Sequence, residues 1–259
     1  GEVKVTSVGE QVVAQAQRVL EEADGVKLLA RQGKDPLAGA LRLGAIYTIG
    51  PYLLPRLIPL VMEQAPGMPL VIEENFTSAL GERLKRGELD VIIISLPFDE
   101  PGILTLPLYD EAFVALLPGG HPWVAQQSVE IDRLADENVL LLGPGHCFRD
   151  QVLQVCPRCL QSSTATGSLQ SGLEGGSLET IRCMVAGGVG VTVLPCTAAS
   201  PERFSEGMVE VRPFSEGAPQ RRVALAWRKS FPRLAAVEVL ARAVRAARLD
   251  CVTYIEPGR

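Results

Sequence analysis

Cys147 and Cys156 lie nine residues apart and bracket Phe148-Arg149-Asp150-Gln151-Val152-Leu153-Gln154-Val155, a stretch that reads as a helix opened by the turn Gly143-Pro144-Gly145. A helix rises about 1.5 Å per residue, so an intact one holds the two Cα atoms roughly 13 Å apart, whereas a disulfide needs about 4.4–6.8 Å. If Cys147 is oxidised and Cys156 resolves it, the new bond forces the segment to unwind, which is the physical outline of a redox switch. Cys147 falls where strand and turn give way to helix, and there unpaired amides and the helix dipole favour the nucleophilic thiolate. Rapid attack on an oxidant also needs donors that stabilise its leaving group, because a more stable thiolate is a weaker nucleophile. Gln151 is one helical turn further on and shares a face with Cys147, while Arg149 should point elsewhere. The alternative for Cys147 is a buried, inert thiol.

The other cysteines compete for this chemistry. Cys156-Pro157-Arg158-Cys159 has the Cys-x-x-Cys spacing of thioredoxin-like sites, and together with His146 and Cys147 it could supply four zinc ligands. It falls at the end of the expected helix rather than at its start, against thioredoxin chemistry, and neither a metal nor a cofactor is assigned. Cys159 can rival Cys156 as the resolving thiol. Cys183, in an expected helix, and Cys196, just after an expected strand, are assigned to core packing, and Cys251 to an exposed position near the C-terminus. Six irregularly spaced cysteines in 259 residues are too few for a disulfide framework. Any disulfide is then expected to be regulatory or catalytic.

A chain of this length with 47% hydrophobic residues can bury one sizeable core or two smaller ones. Its net charge of −5 argues against a nucleic-acid-binding surface on the chain itself. No run of about 20 apolar residues and no export signal is found, so a cytoplasmic protein without a membrane partner is expected. Gly1 in place of an initiating Met, directly before a helical run, is what a fragment would show.

The elements that must position the cysteines follow from periodicity. Val12, Ala16, Val19, Ala23, Val26 and Ala30 form a heptad seam within a helix expected over Val5–Arg31, about 40 Å long and read as a partner-facing arm. Gly33 and Pro36 end it. Strands are expected at Leu41–Tyr47, Pro69–Glu74 and Val91–Leu96, and helices at Tyr52–Gln64 and Ser78–Arg86, the latter after a Thr77 cap. This βαβαβ order specifies a parallel sheet. A second series comprises the strands Ala112–Leu117, Val139–Leu142 and Val189–Leu194, the cysteine helix, and the helix Ser177–Ala186. A mobile loop is expected at Ser162–Gly176, a late strand at Arg221–Trp227 and a last helix at Leu234–Leu249. Two α/β lobes with a cleft between them fit this order. A threonine at a helix start, such as Thr48 or Thr77, is ordinarily a cap. His146 would ordinarily be a solvated loop residue.

The segment from Ser177 to Pro195, SLETIRCMVAGGVGVTVLP, resembles the effector-domain signature of LysR-type transcriptional regulators, as do Leu89-Asp90-Val91-Ile92-Ile93-Ile94 and His121-Pro122-Trp123. The run Gly145-His146-Cys147-Phe148-Arg149-Asp150-Gln151 with Cys156 following, and Thr48-Ile49-Gly50-Pro51-Tyr52-Leu53-Leu54-Pro55, resemble the peroxide-sensing members of that family. The likeness runs from about residue 5 to residue 250. It implies two Rossmann-like lobes of periplasmic-binding-protein type after a linker helix: 1–34 for linker and dimerisation, 35–111 plus 228–259 for lobe I, and 112–227 for lobe II. The chain would cross between lobes near Asp110–Ala112 and again near Arg221–Arg228. Cys147 would be peroxidatic and Cys156 resolving. Thr48 and Thr77 would hold hydrogen peroxide, with His146, Gln151 and Arg228 as polar neighbours of the sulfur. The expected partners are a second copy (dimers, then tetramers), promoter DNA through an N-terminal domain absent from this chain, RNA polymerase, and a thiol reductant such as glutaredoxin or thioredoxin. On this reading peroxide is a signal and the chain is not an enzyme. The rival within the family is an effector domain that binds a small organic anion in the cleft.

Overall fold

The computed structural model describes residues 35–159, 174–200, 207–215 and 217–256, together with scattered positions between Thr6 and Ala23. Val26, Ala30 and the end of the expected arm, and residues 162–173 of the expected loop, lie outside the described residues. Of the arm, Ser7, Val8, Val12, Ala16, Val19 and Ala23 are helical and exposed, with the Gly9 amide donating to Thr6 Oγ1 at the helix start.

Strand β1 (Leu41–Ile46) pairs in parallel with β2 (Leu70–Asn75) and β3 (Val91–Leu96). The Val91–Ile94 run is buried throughout, as an inner strand covered on both faces requires. Helix α1 (Gly50–Gln64) links β1 to β2 and buries Leu53, Leu54, Leu57 and Val61, while its internal Pro55 and Pro59 fall on the exposed face. Helix α2 (Thr77–Lys85) links β2 to β3. Its Leu80 packs onto Gly44 of β1, where an added Cβ would meet Leu80 Cδ2 at 2.8 Å.

Beyond β3 the chain enters β4 (Ile103–Pro118), a single strand of 16 residues that serves both lobes. Its first part pairs antiparallel with β9 (Gln220–Arg228), which in turn pairs antiparallel with β3. Its last part pairs with β7 (Val191–Pro195) and β8 (Val209–Pro213), and β7 continues the sheet through β5 (Val139–Leu142) to β6 (Glu174–Gly175). Helix α3 (Cys147–Val155) follows β5, α4 (Leu178–Ala186) precedes β7, and α5 (Leu234–Ala246) covers the first lobe before the short β10 (Val252–Tyr254) closes on β4.

Two apolar cores result, one around β1, β3, β9, α1 and α5, the other around the end of β4, β5, β7, α3 and α4. The two-lobed α/β architecture is as the sequence implies, but of β4 only the Ala112–Leu117 end is expected from it, since Tyr109-Asp110-Glu111 has no apolar alternation. It also placed residues 220–227 in the second lobe. Here Val223, Leu225, Ala226 and Trp227 are buried in the first core between β3 and β4, so the return crossing precedes β9. An unbroken apolar strand needs cover on both faces, and the inner position beside β3 supplies it.

Candidate functional site

Gly145 has φ of +95°, a left-handed conformation that L side chains rarely adopt, and it turns the chain from β5 so that Cys147 becomes the first residue of α3. The Phe76 ring packs 3.4 Å from where a Gly145 Cβ would lie. Cys147 is a half-buried free thiol at a helix N-terminus, where the unpaired amides favour a developing negative charge. It lines a cavity of about 10 Å³ together with Tyr47, Thr48, Phe76, Thr77 and His146. That is about the room a single water-sized molecule needs. On its other side Cys147 opens, with Thr77, Ser95, Phe113, Gln151 and Gln154, onto an interlobe cleft of about 460 Å³.

Neither threonine caps a helix. Ile49 precedes α1 and Phe76 precedes α2, and neither N-cap makes a side-chain hydrogen bond. Thr48 is buried, and both its Oγ1 and its carbonyl accept from the Arg221 guanidinium at 2.8 Å. Thr77 occupies the first helical turn itself, and its Oγ1 is buried without a hydrogen-bond partner. A buried hydroxyl left unpaired is costly, and this one belongs to a residue that lines both the cavity and the cleft at Cys147. Gln151 shows the same feature: its Nε2 donates to Ser95 Oγ at 2.9 Å while its Oε1 is buried and unpaired.

His146 is buried, not solvated, and stands edge-on to Phe76 at 4.8 Å and Tyr47 at 6.0 Å. Burial lowers its proton affinity below the ordinary imidazole range, and a hydrogen bond to the Gly176 backbone raises it in part. Arg149 turns away and donates to the Leu142 carbonyl.

Arg228 does not join the site. Its guanidinium donates to the carbonyls of Leu84 and Leu89, tying down the end of α2. The arginine that reaches the wall of the Cys147 cavity, through Thr48, is Arg221, whose guanidinium lies 5.4 Å over the Phe148 ring and whose Nε bonds Glu111 Oε2 at 2.7 Å. Arg221 and Glu111 face each other in the β4–β9 register and are both fully buried. Glu111 Oε1 accepts from the Thr197 amide and hydroxyl, so one network runs from Thr48 in the first lobe to Thr197 in the second. The signal was present in the sequence: an acid in one expected crossing segment and a base in the other.

The remaining cysteines also depart from expectation. Cys156 and Cys159 are joined in a disulfide with Cα atoms 5.4 Å apart, at the end of an intact α3. Cys196 and Cys251 are joined with Cα atoms 6.0 Å apart, so neither is a plain packing or surface residue. Cys183 is exposed, because it falls on the outer face of α4 opposite Ile181 and Val185. Among the described residues no group of three or more His, Cys, Asp or Glu converges as metal ligands, and no helix is long and apolar enough to cross a membrane.

Residues 34–248 match the family model described as the LysR substrate binding domain. A probable hydrogen peroxide-inducible genes activator of Streptomyces viridosporus is 37% identical over 96% of this chain and 78% of its own length. The DNA-binding transcriptional dual regulator OxyR of Escherichia coli is 36% identical over 96% of the chain and 79% of its own length. Among solved structures, a cysteine-to-aspartate variant of full-length OxyR from Pseudomonas aeruginosa superposes with a TM-score of 0.80 at 54% identity, over 94% of this chain and 79% of that one. With the signature motifs, the two lobes and these relatives in agreement, the chain belongs to the LysR-type transcriptional regulators, a family of regulators rather than enzymes, and within it to the OxyR group of hydrogen peroxide-inducible activators.

Proposed function

We propose that this chain is a peroxide-sensing regulatory domain in which Cys147 is the peroxidatic thiol and Cys156 resolves it. The observation that carries the reading is the pair of unpaired buried groups, Thr77 Oγ1 and Gln151 Oε1, on the same walls as the Cys147 thiol. Hydrogen peroxide can donate two protons and accept at both oxygens, and it is small enough for the cavity of about 10 Å³ that Cys147 shares with Thr48 and Thr77, next to the cleft that Gln151 lines. The Cys147 thiolate attacks one peroxide oxygen, the O–O bond breaks, and the departing hydroxide takes a proton to leave as water. Thr77 can donate to that oxygen, and Arg221 fixes the Thr48 hydroxyl in the same cavity. The product is a Cys147 sulfenic acid.

Resolution requires Cys156 as a free thiolate. In the structure its sulfur is bonded to Cys159, so a thiol reductant of the glutaredoxin or thioredoxin class must first open that bond. Cys156 then attacks the sulfenic sulfur, expels water and closes a Cys147–Cys156 disulfide. The intact α3 holds the two Cα atoms roughly 13 Å apart, so closing that bond dismantles the helix and its packing through Phe148 and Val152. The rearrangement would reach the dimer and tetramer contacts and, through the arm, an N-terminal DNA-binding domain acting on promoter DNA and RNA polymerase.

The alternative, an organic anion bound in the interlobe cleft, is disfavoured by that cleft's lining, which among the described residues has Asp150 and no lysine or arginine. The test is non-reducing peptide mapping of pre-reduced protein after one equivalent of peroxide. A dominant Cys147–Cys156 link is expected. A link confined to Cys156 and Cys159, with Cys147 untouched, would overturn the assignment.

A further inference from the structure

We propose that Cys196 and Cys251 form a second redox site, an accessible dithiol–disulfide pair that locks the two lobes together at their crossing strand. It stands apart from the peroxide reading, because neither cysteine lies in the Cys147 cavity. Cys196 opens the single turn that follows β7, whose Pro195 pairs with Phe113 of β4 in the second lobe. Cys251 sits just before β10, whose Val252 pairs with Glu111 of β4 in the first lobe. The two chains therefore converge on either side of Glu111–Phe113, where β4 passes from one core to the other. A bond between them closes a loop of 55 residues in sequence separation across the lobe boundary.

Cys251 is exposed and Cys196 half-buried, so soluble thiols and disulfides can reach the pair. The chemistry is ordinary exchange with a small disulfide of the glutathione class. The Cys251 thiolate attacks the small disulfide, forms a mixed disulfide and expels one thiolate. The Cys196 thiolate then attacks Cys251 Sγ, forms the internal bond and expels the second. Two protons and two electrons leave the protein pair, and one small disulfide becomes two thiols. The reverse sequence opens the lock.

The bond has a route to the sensing site. Thr197, next to Cys196, holds Glu111, which holds Arg221, which holds Thr48. Fixing Cys196 fixes the far end of that network.

The test equilibrates the intact chain in buffers of reduced and oxidised glutathione, maps the disulfides, and measures thermal unfolding and amide exchange in the same samples. A linked Cys196–Cys251 peptide should form and disappear reversibly. The linked form should melt about 5–10 °C higher, and its amides around Asp110–Phe113 should exchange at least tenfold more slowly. The Cys251→Ser variant retains the Cys156–Cys159 bond and so isolates that bond's share of any shift. Its own melting should lose most of the redox dependence, while one equivalent of peroxide should still oxidise Cys147. If the variant does not fold, the reduced and oxidised forms of the parent chain give the comparison directly. Absence of the linked peptide under excess oxidised glutathione would overturn the proposal. So would a linked form whose melting and exchange match those of the reduced chain.

Discussion

Helices α2 and α3 have the same length of nine residues, and each begins on a residue that lines the Cys147 cavity, yet they are held differently. Helix α2 buries Leu80, Gly81 and Leu84 against β1 and β3, and Arg228 clamps its C-terminal end through the Leu84 and Leu89 carbonyls. Ion pairs from Arg83 to Glu73 and Glu88 and from Lys85 to Glu100 add to this on the surface. Helix α3 buries Phe148 and Val152, and crosses to the first lobe through the Gln151–Ser95 bond. The first lobe thus presents Thr48 and Thr77 on a frame clamped by Arg228 and surface ion pairs, whereas the second presents Cys147 on a helix held by Phe148, Val152 and the Arg149–Leu142 and Gln151–Ser95 bonds. A switch needs both: one side that holds geometry while the thiol reacts, and one that yields afterwards.

The comparison can be broken from either side. The largest effect is expected for Arg221→Met, which leaves the fully buried Glu111 carboxylate unpaired. A loss of about 3–5 kcal/mol is expected in urea unfolding, because desolvation of the remaining charge is no longer offset. If stability is unchanged, the frame does not depend on this pair.

Thr77→Val separates function from stability. Peroxide should consume the Cys147 thiol roughly 10- to 100-fold more slowly, in line with the loss of one transition-state donor. Urea unfolding should show equal or greater stability, by up to about 1 kcal/mol, because an unpaired buried hydroxyl is removed. A variant that reacted at the parent rate would remove Thr77 from the site.

His146 supplies the pH dependence. Its folded proton affinity is depressed below the unfolded value near 6.5, so between the two the unfolded chain binds more protons. Its contribution to stability is present above about pH 6.5 and is lost as the pH falls through and below that value. Urea midpoints at pH 7.5 and 5.5 should diverge more in the parent chain than in His146→Asn, and equal divergence would contradict the lowered proton affinity of His146.

Tyr52→Phe is expected to have the smallest effect. The Tyr52 hydroxyl on α1 donates to Glu179 Oε1 at the start of α4, 3.0 Å away across the lobes. Burial and the neighbouring Glu179 charge both hold the phenol in its protonated form. Losing this bond should cost about 1 kcal/mol in unfolding and leave the Cys147 reaction unchanged.

What could be read in the sequence was local. The Gly143-Pro144-Gly145 turn announced a helix starting at Cys147, and the spacing to Cys156 gave the distance an intact helix imposes. The βαβαβ series showed in its apolar runs, with boundaries off by one or two residues. What could not be read was tertiary. Thr48 looked like a cap because a threonine before a helix ordinarily is one, and only the fold brings Arg221 to it from 173 residues away. Arg221 itself was hidden inside a strand pattern, and Arg228, at the other end of the same strand, drew the role. The Cys196–Cys251 pair depends on β7 and β10 meeting beside β4, which no short-range pattern encodes.

The most direct test follows α3 itself. Amide exchange over Arg149–Cys156 should be measured by mass spectrometry in pre-reduced protein, before and after one equivalent of peroxide, alongside disulfide mapping of the same samples. The account expects protection of these amides to collapse with the time course of Cys147–Cys156 bond formation, while the amides of α2 stay protected. A Cys147–Cys156 bond formed with α3 still protected would contradict it, as would oxidation of Cys147 that never yields that bond.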